Sequence, residues 1–310
     1  MRPYGVISRR DFLSAGSFCL VSSICSQSSF ASMSGALEKV EEELEQYLLG
    51  LVNAERASGD LSGVAIDALA STVSQQHARE MAEGRFLSHW SRSGLKPYHR
   101  YSFAGGFDAV AENVSGAHGI ESTDPEFVRS VLTQSHVRML SETPPNDGHR
   151  RTILAPQYTH VGFGVASSGR ELRLVELFVA KHVWLAPYQT RAEQNGLVRF
   201  KGGLLSAGHV FEFVEVFFEP KPEPRDGSWL EVPRSYGLPD DFVTLRPVLP
   251  RGIQYADGTR GVVDTSSNGR FEFSVRLNKK EPGIYTVVVW IGSKKSGVRF
   301  QATNACIQSY

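Results

Sequence analysis

The stretch Pro145–Asn146–Asp147–Gly148–His149–Arg150–Arg151–Thr152–Ile153–Leu154, continued by Val161–Gly162–Phe163–Gly164–Val165, most narrows what this chain can fold into. A run of Pro, Asn, Asp and Gly must turn, and here it delivers a histidine that can reach into a cleft instead of a core. Ala155–Pro156 then breaks the chain, and the apolar residues from Val161 read as the start of a strand. Arg173–Leu174–Val175–Glu176–Leu177–Phe178–Val179 is a second strand, a natural partner for Val161–Val165. Most histidines are structural, so His149 gains meaning from three pieces upstream: Ser88–His89–Trp90, Ala111–Glu112–Asn113 and Leu51–Val52–Asn53–Ala54–Glu55–Arg56.

Helical spacing dominates before these pieces. Leu37, Val40, Leu44, Tyr47, Leu48 and Leu51 recur at three- and four-residue steps with glutamates between them. A turn at Ser58–Gly59–Asp60 precedes a second expected helix over Ile66–Ala82, which a glycine, Gly84, should end. His77 and Glu80 lie three apart on it, a spacing metal ligands can use but one that fits a half-buried histidine beside a solvated carboxylate better. Asp124–Pro125–Glu126 is a helix start, with Phe127, Val131, Leu132 and Met139 as its apolar face.

At the N-terminus, Ser8–Arg9–Arg10–Asp11–Phe12–Leu13 and a mildly apolar run from Ala15 to Cys25 resemble a twin-arginine export signal. Ser29–Phe30–Ala31 offers small residues for cleavage after Ala31. The run is too short and serine-rich to span a bilayer, so no transmembrane helix is expected in the mature chain, which should be periplasmic or secreted. Cleavage would remove Cys19 and Cys25 and leave Cys306 alone, which rules out an intrachain disulfide and a thiolate zinc site. Lys+Arg and Asp+Glu are equal at 33 each, so nucleic acid is not an expected partner.

The spacing of these pieces, from about Leu48 to Val183, resembles the CAP superfamily, or SCP domains: cysteine-rich secretory proteins, antigen 5, pathogenesis-related-1 proteins and bacterial relatives. The resemblance is carried by Leu51–Arg56, Gly84–Arg85–Phe86–Leu87–Ser88–His89, Ala111–Glu112–Asn113 (where the family usually has Gly-Glu-Asn), Gly148–His149–Arg150 and Val161–Gly162–Phe163–Gly164. It implies an α/β fold, a three-layer α-β-α sandwich, whose cleft holds two histidines and two acids. His89 and His149 look like the histidines and Glu112 like one acid. For the second acid the sequence departs from the family: Val131–Leu132–Thr133–Gln134–Ser135–His136 carries neither the usual tryptophan nor an acid. Glu142 and His136 are the nearby candidates.

Past Trp184 the composition changes. Of nine histidines only His209 lies beyond His182, and strand patterns take over. Asp257–Gly258 and Asn268–Gly269 signal tight turns, Phe271, Phe273, Val275 and Leu277 alternate with polar residues, and Ile284–Ile291 is apolar on both faces. These features fit a β-sandwich of immunoglobulin-like type with no titratable cluster of its own, in which Trp229 and Tyr236 pack instead of stacking on a sugar. The expected organisation is a signal peptide over 1–31, a CAP domain over 32–185 and the β-sandwich over 186–310.

Two histidines and a carboxylate in one cleft suit Zn²⁺ or another divalent cation, with His89 and His149 as ligands and room for water. Metal-bound water can act as a nucleophile near neutral pH. No Ser or Cys nucleophile stands beside a base in a recognisable motif, and no His-Glu-x-x-His helix occurs. The resemblance implies a family that mostly binds ligands or partners. The expectation is therefore an exported protein that binds a protein, lipid or glycan through a metal-holding cleft. A metal-dependent hydrolase acting on an envelope or extracellular substrate is the alternative, and purely adhesive or structural domains are the third reading.

Overall fold

In the computed structural model the backbone is described from Cys25 and side chains from Glu42, so the Arg9–Arg10 motif lies outside the described residues. Helix α1 (Cys25–Ser58) leads into a compact unit, Glu42–Tyr310. Its first sheet holds β1 (Ala65–Ile66), β2 (Ala109–His118), β3 (His160–Ser168) and β4 (Glu171–Ala180), in the order β1-β3-β4-β2. Between these strands run α2 (Ala68–Gly84), α3 (Pro97–Phe103), α4 (Pro125–Leu140) and α5 (Gly148–Ile153). The expected pairing is present: β3 and β4 are antiparallel, with Val161 opposite Phe178 and Val165 opposite Leu174.

Strand β4 is apolar on both faces and is buried from Leu172 to Ala180. Leu172, Leu174 and Phe178 share a core with Leu48 and Val52 of α1, Leu132 and Met139 of α4, and Ile153 of α5. Leu177 and Val179 instead meet Ala70 and Val73 of α2 and Tyr98 and Tyr101 of α3, and Val175 meets Ala78 and Met81. The result is a mixed α/β arrangement with helices against both faces of one sheet. On α4, Phe127 turns outward at 37% exposure, while Leu132 and Met139 face inward as the spacing requires.

Two local readings change. Ile66 belongs to β1, and α2 begins at Ala68, where the Asp67 carboxylate accepts from the main-chain N–H of Ala70. Helix α2 does end at Gly84, but the left-handed cap is Arg85 (φ 56°), where the Arg85 and Phe86 N–H groups close back onto Ala82 and Met81.

The remaining strands are β5 (Val183–Leu185), β6 (Arg191–Ala192), β7 (Leu197–Leu204), β8 (His209–Pro220), β9 (Phe242–Leu245), β10 (Asp264–Thr265), β11 (Arg270–Arg276), β12 (Gly283–Ser293), β13 (Arg299–Gln301) and β14 (Ala305–Ser309), with a short helix α6 (Gly227–Leu230). They form one sheet in the order β10-β11-β7-β5 and another in the order β6-β14-β12-β8-β9, β13 pairing with β12. Phe200, Phe271 and Phe273 of the first share a single core with Val216, Val287, Val289 and Ile307 of the second. This part is not separate from the first sheet, since Ile284 and Cys306 are buried against Tyr98 and Tyr101.

Helix α2 lies so close to β3 that a methyl on Gly162 would meet the main chain of Ala70 and Ser71, and one on Gly164 that of Ser74. Gly164→Ala should therefore destabilise by about 3 kcal/mol or more, because backbone cannot yield as a side chain can. Gly50→Ala, in α1 with open space around it, should stabilise by about 0.5–1 kcal/mol. Urea denaturation of both variants checks the pair of signs.

Candidate functional site

Strand β2 is an edge strand of the first sheet, and its alternation sends neighbouring residues to opposite layers. Val110, Glu112 and Val114 face α2 and α3, whereas Asn113 faces α4 and α5. A cleft of about 610 Å³ spans this edge and is lined by His89, Glu112 and Tyr236 together with Asn113, Glu142 and His149. Four of the five candidates from the sequence, His89, Glu112, Glu142 and His149, thus meet in one cavity.

His89 sits in the loop after α2. Its Nδ1 lies 3.0 Å from Glu112 Oε1, and its carbonyl accepts from Arg100 Nη1 at 2.7 Å. Arg100, on α3, also pairs with the other Glu112 oxygen. Glu112 is only 2% exposed. Burial opposes its ionisation, but the Arg100 charge and the His89 hydrogen bond outweigh burial and hold the carboxyl down at about 2. An ionised Glu112 can only accept, so His89 Nδ1 donates to it, and Nε2 is the ring nitrogen left to the cleft.

His149 is the second residue of α5, and its Nδ1 and main-chain N–H both donate to Glu142, at 2.5 and 3.0 Å. The Asn113 amide donates to the His149 carbonyl at 3.3 Å and to Glu176 at 3.1 Å. His136, the other candidate for the missing acid, is 2% exposed and lies outside the cleft lining, with Nδ1 3.7 Å from Glu176. His77 turns inward too, bonded to the Ser88 carbonyl at 2.8 Å and to Glu80 at 3.2 Å.

Arg56 and Asn53, from the first motif, build the site's frame. The fully buried Arg56 guanidinium donates to the carbonyls of Ser62, Ile153, Ala155 and Tyr158, tying α1 to the turn after His149. The Asn53 side chain pairs with both main-chain groups of Val64. The cleft roles of Arg100 and Tyr236 escaped the sequence reading, since no local pattern says that a short-helix arginine or a tyrosine 124 residues away meets Glu112.

The donor set bears on a metal. Among the described residues no group of three or more His, Cys, Asp or Glu converges as a metal centre, and Nδ1 of each cleft histidine is already bound to a carboxylate. As arranged, these residues do not form a complete coordination sphere. Cys306 offers no nucleophile, because burial pushes its thiol up to about 12.

A model of the Cysteine-rich secretory protein family (CAP) matches residues 49–184. This stretch is a CAP domain. It is 26% identical over 126 residues to the uncharacterized protein YkwD of Bacillus subtilis (strain 168). That match covers 40% of this chain and 43% of YkwD, so the chain spans less than half of that relative's length. Among solved structures, an extracellular SCP-domain protein from Bacillus anthracis is 22% identical with a TM-score of 0.35, covering 44% of this chain and 40% of that one. An outer surface protein of Borrelia burgdorferi is 20% identical with a TM-score of 0.34, covering 43% of this chain and 90% of that one.

Removing Arg100 would leave the Glu112 charge buried without its strongest partner. Arg100→Met should cost about 3–5 kcal/mol near neutral pH. The depressed Glu112 pKa contributes stability above the ordinary glutamate range, and that contribution is lost as pH falls towards about 2. The deficit of the variant should accordingly shrink at pH 4, because without Arg100 burial raises the Glu112 pKa and the variant's carboxyl takes up a proton that the wild type does not. Urea titrations at pH 7 and pH 4 measure both parts.

Proposed function

We propose that this is an exported CAP-domain protein whose cleft binds an extracytoplasmic protein, lipid or glycan, with residues 186–310 as a β-sandwich interaction domain beside the CAP domain. The carrying observation is that His89 and His149 each donate Nδ1–H to a carboxylate while lining one cleft, and neither has a described hydrogen bond at Nε2. Such a cleft offers two oriented imidazole nitrogens, with Asn146, Gln157 and Tyr158 as further polar contacts on its wall. That is a recognition surface, and no described nucleophile is paired with a base in it. Export rests on the Arg9–Arg10 motif, and no described helix is long and apolar enough to cross a membrane.

The second reading places Zn²⁺ or another divalent cation on His89 and His149. What favours it is the carboxylate behind each imidazole, an arrangement that orients metal-ligating histidines through their other nitrogen. A bound ion would supply Lewis acidity, and a metal-dependent hydrolase acting on an envelope or extracellular substrate is the enzymatic form of this reading. Glu112 and Glu142 then serve to orient the rings.

Glycan and lipid arrays probed with the purified chain should give signals that His89→Ala/His149→Ala loses and His209→Ala keeps. Signals unchanged in the double variant remove the cleft as the binding site. Calorimetric zinc titration separates the metal reading: uptake of about one Zn²⁺ that weakens as pH falls through about 6.5, where imidazole protonates, supports it. Metal-dependent turnover abolished by Glu112→Gln would establish the hydrolase. For export, changing both Arg9 and Arg10 to Lys should strand precursor in the cell, because the receptor reads guanidinium pairs. Normal processing of that variant, followed by immunoblot, removes the twin-arginine route.

A further inference from the structure

Tyr236 reaches the cleft from far outside the matched CAP stretch, and the chain around it is fastened at several points. The Trp229 ring stands edge-on to Trp90 with centroids 5.4 Å apart, and Leu230 is buried with Met81 and Phe86. Trp90 Nε1 donates to the Ser235 carbonyl at 3.2 Å, and Lys96 Nζ donates to the Gly237 carbonyl at 3.0 Å. Trp90 and Lys96 belong to the loop between α2 and α3 that carries His89. Residues 229–237 are thus fixed to the element that positions one cleft histidine.

The Tyr236 hydroxyl accepts from the Glu112 main-chain N–H at 2.8 Å and donates to the Glu112 carbonyl at 3.1 Å. Its ring lies against the His89 imidazole, with centroids 4.5 Å apart and planes tilted by 54°. Arg100 fixes the His89 carbonyl and Glu112 holds one ring nitrogen. The torsion about the imidazole bond is broad and two-fold, and the Glu112 bond restrains it from one ring edge alone. The described ring contact against its face, which narrows the torsion further, is Tyr236.

We propose that Tyr236, supplied by the C-terminal region, is the positioning residue of the His89–Glu112 pair: its ring fixes the imidazole plane so that Nδ1 stays on Glu112 and Nε2 stays on the cleft. The proposal rests on the cleft being the working site. It makes the C-terminal region part of that site and not an appendage to it, since the CAP stretch alone lacks this wall.

The test uses the full chain with ¹⁵N-labelled histidine and long-range ¹H–¹⁵N correlation of the rings. In the wild type His89 should show one protonated Nδ1 and one pyridine-type Nε2. Tyr236→Phe loses the hydroxyl, keeps the ring and should preserve that signature. Tyr236→Leu should replace it with averaged nitrogen signals from interconverting tautomers, while His149 stays unchanged. An unaltered His89 spectrum in folded Tyr236→Leu overturns the proposal, and so does an equal change at His149, which would report general loosening. Should the leucine variant fail to fold, a mixed His89 signature in Tyr236→Phe overturns it just as well, and a preserved one supports it. The readout is independent of ligand: a chain that binds no arrayed glycan, lipid or Zn²⁺ but whose His89 responds to Tyr236→Leu keeps the positioning role and loses only the binding reading.

Discussion

Strand β4 has no face turned to water, and the rest of the CAP domain follows from that constraint. A strand buried on both sides needs a helical layer against each, and its alternation sorts Leu172, Leu174 and Phe178 to one and Val175, Leu177 and Val179 to the other. Two charged residues ride inside it and each must find partners. Arg173 donates to the carbonyls of Phe86 and Leu172 and pairs with Glu171 at 2.7 Å, while Glu176 takes the Asn113 amide. Close approach on the α2 side is possible because β3 presents Gly162 and Gly164 there.

With β4 central, β2 becomes an edge, and an edge strand carries main-chain groups that need cover. The C-terminal region provides it. Asn304 accepts from the Val110 N–H at 2.9 Å, the Ala302 carbonyl accepts from Ala109 at 3.1 Å, and Tyr236 takes both main-chain groups of Glu112. A second junction lies beside it, where Glu219 of β8 pairs with Lys96, with His99 at 3.2 Å and with Tyr98 at 2.9 Å. Burial works against the Glu219 charge, yet His99 and Lys96 hold its carboxyl down at about 2. The acids on both sides of this seam stay ionised far into the acid range, so the seam is held by charge as well as by the apolar contact of Ile284 and Cys306 with α3.

What could be read in the sequence was whatever local chain geometry decides. His89 and His149 sit where a helix ends and where a turn feeds one, contexts written in neighbouring residues, whereas Glu112 was picked out by resemblance to a family motif and its place in the ten-residue β2 was not read. The pairing of β3 with β4 was legible from neighbouring residues too. Arg100 was not, because an arginine in a seven-residue helix has no pattern that says which carboxylate it meets. Tyr236 lies 124 residues from its hydrogen-bond partner Glu112 in a stretch without regular structure, and it looked like a packing aromatic. It does pack, but against a cleft histidine. Glu219 was equally hidden: the C-terminal region has no titratable cluster of its own, and this one forms only across the seam.

The departure at the second acid has a physical consequence for the cleft. On α4, where the family acid is expected, this chain places Ser135 and His136, and both turn into the buried layer. A carboxylate reaches the cleft instead from Glu142, which holds the ring and the main-chain N–H of His149 only seven residues away. One histidine of the cleft is therefore anchored to a buried, doubly paired carboxylate of the sheet, and the other to a carboxylate in an exposed connection. Local pairing of this kind closes a short loop and needs no support from the core. The two imidazoles should then differ in rigidity even though their bonding pattern is the same. A ligand that touches both must order the His149 side against the already fixed His89 side, and the free energy of that ordering is subtracted from its affinity.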